Sequence, residues 1–369
     1  MIIITTQCFY PNIGGIEALM TSLATEMSKK RSDVIVTADG SNVKEDNSYN
    51  FKIKRFTGWK PIRRLKKAKF IKKICANQKV EAIYADSWKS IEYLNNLTVP
   101  IFVLAHGTEI QKNFNSINLY KNFKQFRIIS SYKKASKIIA NSSYTKELLV
   151  ESLSINNKKI EIIHPGIDVY NKFIKNDTLI KIENIIGNSS PVVLTLARLE
   201  LRKGHKAILT ALSALIKKYP NLLYIIAGDG PNKSNLKMQA RKLGLERNIR
   251  FLGWITEPEK SALLKKINVY AMTPHIEKES VEGFGMAFID AAFHGVPALG
   301  TDSGGIPDAI ENGKTGLIAK TSNQEDITNK IDLLFSDKNL RAKLGEAGKK
   351  HALSKFTWDH KILEYLSLL

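Results

Sequence analysis

The chain has 369 residues, 43% of them hydrophobic, which is enough for two domains with a core each. No run of about eighteen apolar residues occurs, which argues against a membrane-spanning helix. Its two cysteines, Cys8 and Cys75, fit neither a disulfide framework nor a metal-ligand spacing, while a net charge of +21 admits anionic partners such as nucleic acid, acidic lipid or a phosphorylated substrate.

Short apolar strands alternate with amphipathic helices along the whole sequence, the pattern of parallel sheets covered on both faces. The start, Met1-Ile2-Ile3-Ile4-Thr5-Thr6, reads as a buried strand without a basic leader or cleavage site. The expectation is therefore a mature protein that begins here and stays in the cytoplasm. A loop over 7–15 and a helix from 16 to about 29 follow, with Gly14-Gly15 where a strand-to-helix loop lets a ligand approach the backbone. A plain turn is the competing reading.

Between Lys60 and Lys79 lie nine basic residues and no acid. Ile62, Leu65, Ala68, Ile71 and Ile74 recur every three residues and are expected to form one apolar stripe. Arg63, Arg64, Lys66, Lys67, Lys69, Lys72 and Lys73 take most of the remaining surface. Such a helix suits an anionic membrane surface. It equally suits an ordinary covering helix with a solvated basic face.

Strands are expected at 82–84 and 101–105, the second ending in His106-Gly107-Thr108-Glu109. A histidine at the carboxyl end of a parallel strand faces the ligand crevice, although a structural role is as natural for a lone one. Further strands fall at 137–141, before the capping sequence Ser142-Ser143-Tyr144-Thr145-Lys146-Glu147, and at 160–164. The first domain is placed at 1–172 and a polar linker at 173–190. The second domain, 191–353, opens with a strand at 192–197 and the loop Arg198-Leu199-Glu200-Leu201-Arg202-Lys203-Gly204, in which Arg202 reads as a solvated cation. Strands at 222–227 and 249–252 lead into Gly228-Asp229-Gly230-Pro231 and Gly253-Trp254-Ile255-Thr256. Another at 269–273 precedes an acidic loop. Helices cover about 323–335 and 339–353, and an amphipathic tail occupies 358–369 within a terminal segment placed at 354–369.

The stretch 280–307 is the densest in signals: a glycine loop, a short apolar helix, a buried strand and the second glycine loop Gly304-Gly305-Ile306-Pro307-Asp308. Glu282 precedes Gly283-Phe284-Gly285 at the start of the helix, where unpaired N–H groups can receive hydroxyl or phosphate oxygens. Asp290 follows eight residues later, about two turns along. Two carboxylates beside a polyhydroxylated ligand accept its hydroxyls well; a helix cap and one solvated acid is the plainer reading.

Glu282 to Asp290 resembles the E-x7-E signature of the retaining glycosyltransferases of family 4, with aspartate where that family usually has glutamate. Gly14-Gly15, His106 and the Arg198/Lys203 pair match further family motifs in the same order, so the resemblance covers essentially the whole chain. It implies a GT-B fold: two Rossmann-like α/β domains with parallel sheets facing a central cleft, and a C-terminal helix crossing back to the first domain. It also implies transfer of a hexose from a nucleoside-diphosphate sugar with retention. In that scheme Arg198 and Lys203 hold the diphosphate and His106 orients the donor sugar. Glu282 and the Gly283, Phe284 and Gly285 amides bind sugar hydroxyls, and Asp290 binds the ribose. Gly14 and Gly15 lie near the diphosphate and the acceptor, and Trp254 near the base. No metal or other cofactor is implied.

The basic segment, with Arg63, Arg64, Lys66 and Lys67 at its centre, adds the expectation of a lipid or lipid-linked acceptor. The enzyme would then be peripheral on the inner face of the cell membrane. A soluble acceptor, a nucleotide-sugar epimerase on the same fold, and a charge-driven nucleic-acid binder are the alternatives. The last lacks any motif with interleaved aromatics, so no nucleic-acid partner is expected.

Overall fold

The computed structural model describes residues 1–12, 14–110, 119–168, 174–277 and 280–369. The chain divides into two compact units, Met1–Asp168 with Trp358–Leu369, and Val169–Thr357. The first unit holds strands β1 (Ile2–Thr5), β2 (Val34–Asp39), β3 (Lys52–Phe56), β4 (Ala82–Ala85), β5 (Ile101–Ala105), β6 (Lys137–Ala140) and β7 (Ile160–Ile162). They form one parallel sheet in the order β3-β2-β1-β4-β5-β6-β7. Its helices are α1 (Gly15–Lys30), α2 (Lys60–Asn77), α3 (Trp88–Ile91), α4 (Leu119–Lys134) and α5 (Ser143–Leu153).

Alternate side chains of these strands enter different cores, as a period of two requires. Ile3, Ile83, Ala85, Val103 and Ile138 pack with Ala68, Ile71 and Ile74 of α2, Trp88 of α3, Ile128 of α4 and Leu148 of α5. Ile2, Ile4, Tyr84, Phe102 and Leu104 face the opposite way, toward Leu19, Met20 and Leu23 of α1. β3 carries the exposed Lys52 and Lys54, charges that suit an edge strand because they discourage further pairing.

The second unit contains α6 (Asn176–Ile186), β8 (Val192–Leu196), α7 (His205–Leu215), β9 (Leu223–Ala227), α8 (Lys233–Lys242), β10 (Ile249–Gly253), α9 (Glu257–Leu264) and β11 (Val269–Ala271). These are followed by α10 (Met286–Phe293), β12 (Ala298–Thr301), α11 (Ile306–Ala309), β13 (Gly316–Ala319), α12 (Gln324–Ser336) and α13 (Lys338–Lys355). Its parallel sheet runs β10-β9-β8-β11-β12-β13. The last helix, α14 (Trp358–Leu366), belongs to the first unit, where Ile362 and Tyr365 join the core beside α1. Tyr84 Oη donates to the Tyr365 carbonyl at 2.5 Å, and the Trp358 ring lies so close to Gly166 that a Cβ there would stand 2.6 Å from it.

One expectation is corrected. Most of the polar segment 173–190 is helix α6, which packs on α9 within the second unit. Lys181 and Lys266 tie the pair through Glu259 and Glu183. Residues 169–173, where the first domain was expected to end, lie outside the described residues, as do 278 and 279 of the acidic loop.

Both sheets reverse their order of strands once, between β1 and β4 and between β8 and β11. At such a switch the loops leaving the carboxyl ends part in opposite directions and open a crevice. The loop residues 6–12 and 86–87 leave the first switch point, with His106 one strand further. The segments 197–204 and 272–277 leave the second.

Candidate active site

In the second unit the segment after β8 ends in a short 3-10 turn, Leu201–Lys203. Gly204 closes it at φ +76°, so close to β11's end that a Cβ would meet the Thr273 carbonyl at 1.9 Å. Only glycine tolerates both conditions. Thr273 Oγ1 donates to the Gly204 carbonyl at 2.9 Å, and the His275 amide to the Arg202 carbonyl at 2.9 Å. The turn is thereby locked against the strand that leads to Glu282.

That docking brings Lys203 Nζ into a direct ion pair with Glu282 Oε2, and Arg202 Nη1 donates to the same oxygen at 3.1 Å. Arg202 Nε also bonds Glu200 Oε2 at 2.9 Å, and Arg198 Nη1 pairs with Glu200 Oε1 at 3.2 Å. The result is a chain of alternating charge, Arg198–Glu200–Arg202–Glu282–Lys203, with one cation in excess. Burial pushes the Glu282 carboxyl up, but Lys203 and Arg202 outweigh it and hold the group below the usual carboxylate range. The expectation for Arg202 is corrected: its side chain is 16% exposed and joins the two carboxylates, whereas the Arg198 side chain is 63% exposed.

The second glycine loop holds Glu282 from the other side. Gly305 N–H donates to the Glu282 carbonyl at 2.9 Å, and Gly304, at φ +62°, lies where a Cβ would stand 2.3 Å from that oxygen. Gly285 caps α10 at φ +92°. Among the described residues the Gly283 and Gly285 amides donate to no protein acceptor. The Phe284 ring is buried against Phe356, centroids 5.6 Å apart, so its side chain is a packing element.

Asp290, on α10, meets a partner the sequence did not suggest. Lys260 of α9 reaches Asp290 Oδ2 at 3.1 Å and Glu257 Oε2 at 2.8 Å. Burial lowers the Lys260 ammonium, and the two carboxylates more than restore it. Glu282 and Asp290 are thus engaged by separate cations, Lys203 and Arg202 for the first and Lys260 for the second. Trp254, after β10, is 63% exposed.

In the first unit, His106 follows β5 and is 9% exposed. Its Nε2 lies 2.8 Å from the Asp86 carbonyl, an acceptor only, so Nε2 carries a proton and donates it to that oxygen. Its amide donates to Glu109 Oε1 at 2.9 Å, an oxygen that also accepts from Tyr132 Oη at 3.0 Å. Asp86, not singled out from sequence, organises this edge. Its carboxylate accepts from Thr6 Oγ1 at 3.0 Å, the Gln7 amide at 2.8 Å and Ser90 Oγ at 2.6 Å. Gly14 has an extended backbone, φ 176°, and a Cβ there would meet only the flexible tip of Glu17; at Gly15 it would meet nothing within 4 Å. The fold itself does not demand these two glycines.

The basic helix differs most from its expected form. Ile62 and Leu65 are 49% and 43% exposed, while the Lys67 side chain is buried, its Nζ 2.6 Å from the Thr6 carbonyl and 2.8 Å from Asp39 Oδ1. Arg63 pairs with Asp39 Oδ2 at 2.7 Å and Arg64 with Glu92 Oε2 at 3.1 Å. Arg63, Arg64 and Lys67 therefore point into the protein, and only Lys66 of the four expected surface cations is exposed. Helix geometry gives the reason. Three residues fall short of a 3.6-residue turn by about 60°, so the four steps from Ile62 to Ile74 wrap about 240° around the axis. No single stripe can hold all five.

Two Rossmann-like parallel sheets, each with charged and glycine-rich loops at its switch point, define the GT-B architecture. The solved structure of Anabaena Alr3699/HepE in complex with UDP and glucose superposes with a TM-score of 0.78 at 20% identity, covering 100% of this chain and 99% of that one. The family models agree: "Glycosyltransferase Family 4" matches residues 13–170 and "Glycosyl transferases group 1" matches 176–351. The chain belongs to glycosyltransferase family 4. Among curated relatives, mannosylfructose-phosphate synthase of Agrobacterium fabrum is 27% identical over 274 residues, 71% of this chain and 59% of that protein. A GDP-mannose-dependent alpha-(1-6)-phosphatidylinositol monomannoside mannosyltransferase of Mycolicibacterium smegmatis is 29% identical over 220 residues, 59% of this chain and 57% of that protein. The chain thus spans somewhat over half the length of these two relatives.

Proposed function

We propose that this protein transfers a hexose, with retention, from a nucleoside-diphosphate sugar to a hydroxyl of a membrane lipid or lipid-linked glycan. The observation that carries the reading is the convergence of Lys203 and Arg202 on Glu282 beside the free Gly283 and Gly285 amides. Glu282 accepts hydroxyls of the donor sugar while those amides donate to its oxygens. An ammonium has three N–H donors, so Lys203 keeps Glu282 and turns another toward the diphosphate. Arg198, well exposed, adds a second cation. As the anomeric carbon–oxygen bond breaks, charge grows on the departing phosphate, and fixed cations favour that state over the ground state. With no carboxylate assigned as nucleophile, the acceptor oxygen attacks from the face the phosphate leaves, and its proton passes to a phosphate oxygen. His106, its Nε2 bonded to the Asp86 carbonyl, orients the donor sugar, and Asp290 with Lys260 holds the ribose. The cations supply the neutralisation that such chemistry needs, so turnover is expected to persist in a chelator.

Support for a lipid-bound acceptor comes from the relative that acts on a phosphatidylinositol monomannoside and from the outer face of the first unit. Trp59, Ile62 and Leu65 stand 72%, 49% and 43% exposed beside the exposed Lys66 and Lys69, and Phe123 and Phe126 of α4 are exposed as well. Aromatic and aliphatic side chains mixed with lysines suit an anionic bilayer surface on the cytoplasmic side. No helix among the described residues is long and apolar enough to cross a membrane. A donor screen with chelator present, measuring nucleoside-diphosphate release from UDP- and GDP-hexoses with membrane extract, tests the proposal. Release that no donor supports, or that Lys203→Ala leaves unchanged, would sink it.

A further inference from the structure

Lys89 has no part in the scheme above. It lies on α3 immediately beyond the switch point of the first sheet, half-buried, with its ammonium 5.9 Å from the centre of the buried Trp88 ring. Among the described residues it has no acidic partner. The carboxylates that act on it are already committed, Asp86 to Thr6, Gln7 and Ser90 and Glu109 to the His106 amide and Tyr132, as is Glu92 just beyond its helix, to Arg64 and Arg127. Its charged neighbours include two more cations, Arg64 and Lys124. Half-burial lowers the Lys89 ammonium from its ordinary range, Arg64 and Lys124 lower it further, and Asp86 and Glu109 only partly compensate. An unpaired cation beside like charges in a half-dry setting is costly unless an anion completes it.

We propose that Lys89, flanked by Arg64 and Lys124, binds a phosphate carried by the acceptor, so that the first unit selects phosphorylated acceptors. The inference rests on the transferase reading, since it assigns the anion to the second substrate. The place fits. Lys89 follows the carboxyl end of β4, where the first sheet reverses, and the Arg127 guanidinium lies over the same Trp88 ring, 5.5 Å from its centre. Arg64 gives Glu92 one of its five N–H donors and has others for an oxyanion. The ligand chemistry is a phosphate ester, either the monoester of a soluble sugar or the diester of a lipid headgroup.

Titration calorimetry on the full chain separates these cases, with fructose 6-phosphate against fructose in one arm. The other arm compares phosphatidylcholine vesicles with and without phosphatidylinositol. The wild-type chain should prefer fructose 6-phosphate to fructose, or the vesicles whose phosphodiester carries net negative charge to phosphatidylcholine alone, and the pair that shows the preference names the source. Lys89→Gln should weaken that binding about 10- to 100-fold, the range for a hydrogen bond to a charged group. Lys89→Arg should keep most of it. Lys30→Gln, which removes the same charge from the exposed end of α1, should change nothing. Equal binding by Lys89→Gln and wild type, or no such preference in either wild-type arm, overturns the proposal. Titration of UDP- and GDP-hexoses into the same samples keeps the two readings apart. Failure to bind any of them removes the transferase reading and leaves the Lys89 comparison standing on its own result.

Discussion

Helix α2 and the turn at 198–203 are both basic, and the structure uses their cations in different ways. In α2 the inward cations end on groups that hold the sheet together: Lys67 on the Thr6 carbonyl and Asp39, Arg63 on Asp39, Arg64 on Glu92. In the turn, Arg202 and Lys203 end on one oxygen of Glu282, next to glycine amides that donate to nothing in the described protein. The same residue types are structural where they meet a buried carboxylate behind a strand. They become candidates for chemistry where the carboxylate stands at a switch point with donors left over. Charge density along the chain cannot tell these apart; what lies opposite each cation can.

The largest effect expected from this contrast is on turnover. Lys203→Ala should lower kcat on the order of a hundredfold or more, as for loss of one preorganised group that stabilises transition-state charge. Arg202→Ala should cost more than Arg198→Ala, because Arg202 also positions Glu282; equal losses would reduce Arg202 to a bystander. Next comes stability. Lys67→Ala strands Asp39 with one partner fewer in a buried setting and should cost about 3 kcal/mol in urea unfolding. Its catalytic constants should otherwise stay intact, and a kcat loss without a stability loss would reverse the contrast.

His205, directly after the turn, supplies a pH test. Burial pushes its imidazole down to about 4, with Lys203 adding to the effect, and neither ring nitrogen has a partner among the described residues. Its folded value lies below the unfolded one, near 6.5. The stability it allows is therefore complete above about 6.5 and drains away as the pH falls toward 4. The wild-type chain should lose on the order of 2 kcal/mol from this group between pH 7 and 5. His205→Leu should show a flatter profile of Tm against pH, and parallel profiles would refute the assignment. The smallest effect belongs to the outer face of α2. Replacing Lys66 and Lys69 by Gln should weaken binding to anionic vesicles by about 1 kcal/mol per lysine. Replacing Arg63 and Lys67 should instead affect folding.

Much of this was visible in the sequence. Buried β-branched runs such as Ile2-Ile3-Ile4 announce strands without help from context, and Gly283, Gly285, Gly304 and Gly305 mark the two glycine loops around Glu282, although not that one loop holds the other. Side-chain direction was not visible. The resemblance singled out Arg198 and left Arg202 as a solvated cation, yet with Gly204 docked on Thr273 it is Arg202 that turns inward to Glu282. The three-residue spacing in α2 misled for the opposite reason, since its periodicity is near that of a helix but drifts off one face. Lys260 and Asp86 left no signal at all. Each works through a partner distant in sequence, Asp290 or Thr6, and single residues without a motif give no sign of such pairing.

The seating of α14 has a consequence for biosynthesis. Trp358, Ile362 and Tyr365 fill out a core whose other buried members lie between Ile2 and Ile163 and are made well before them. Between the two parts the ribosome must produce all of Val169–Thr357, a task of roughly ten to forty seconds at 5–20 residues per second. The unit synthesised first is therefore the one completed last, and a nascent chain halted before Trp358 would display the apolar seat of that helix to chaperones.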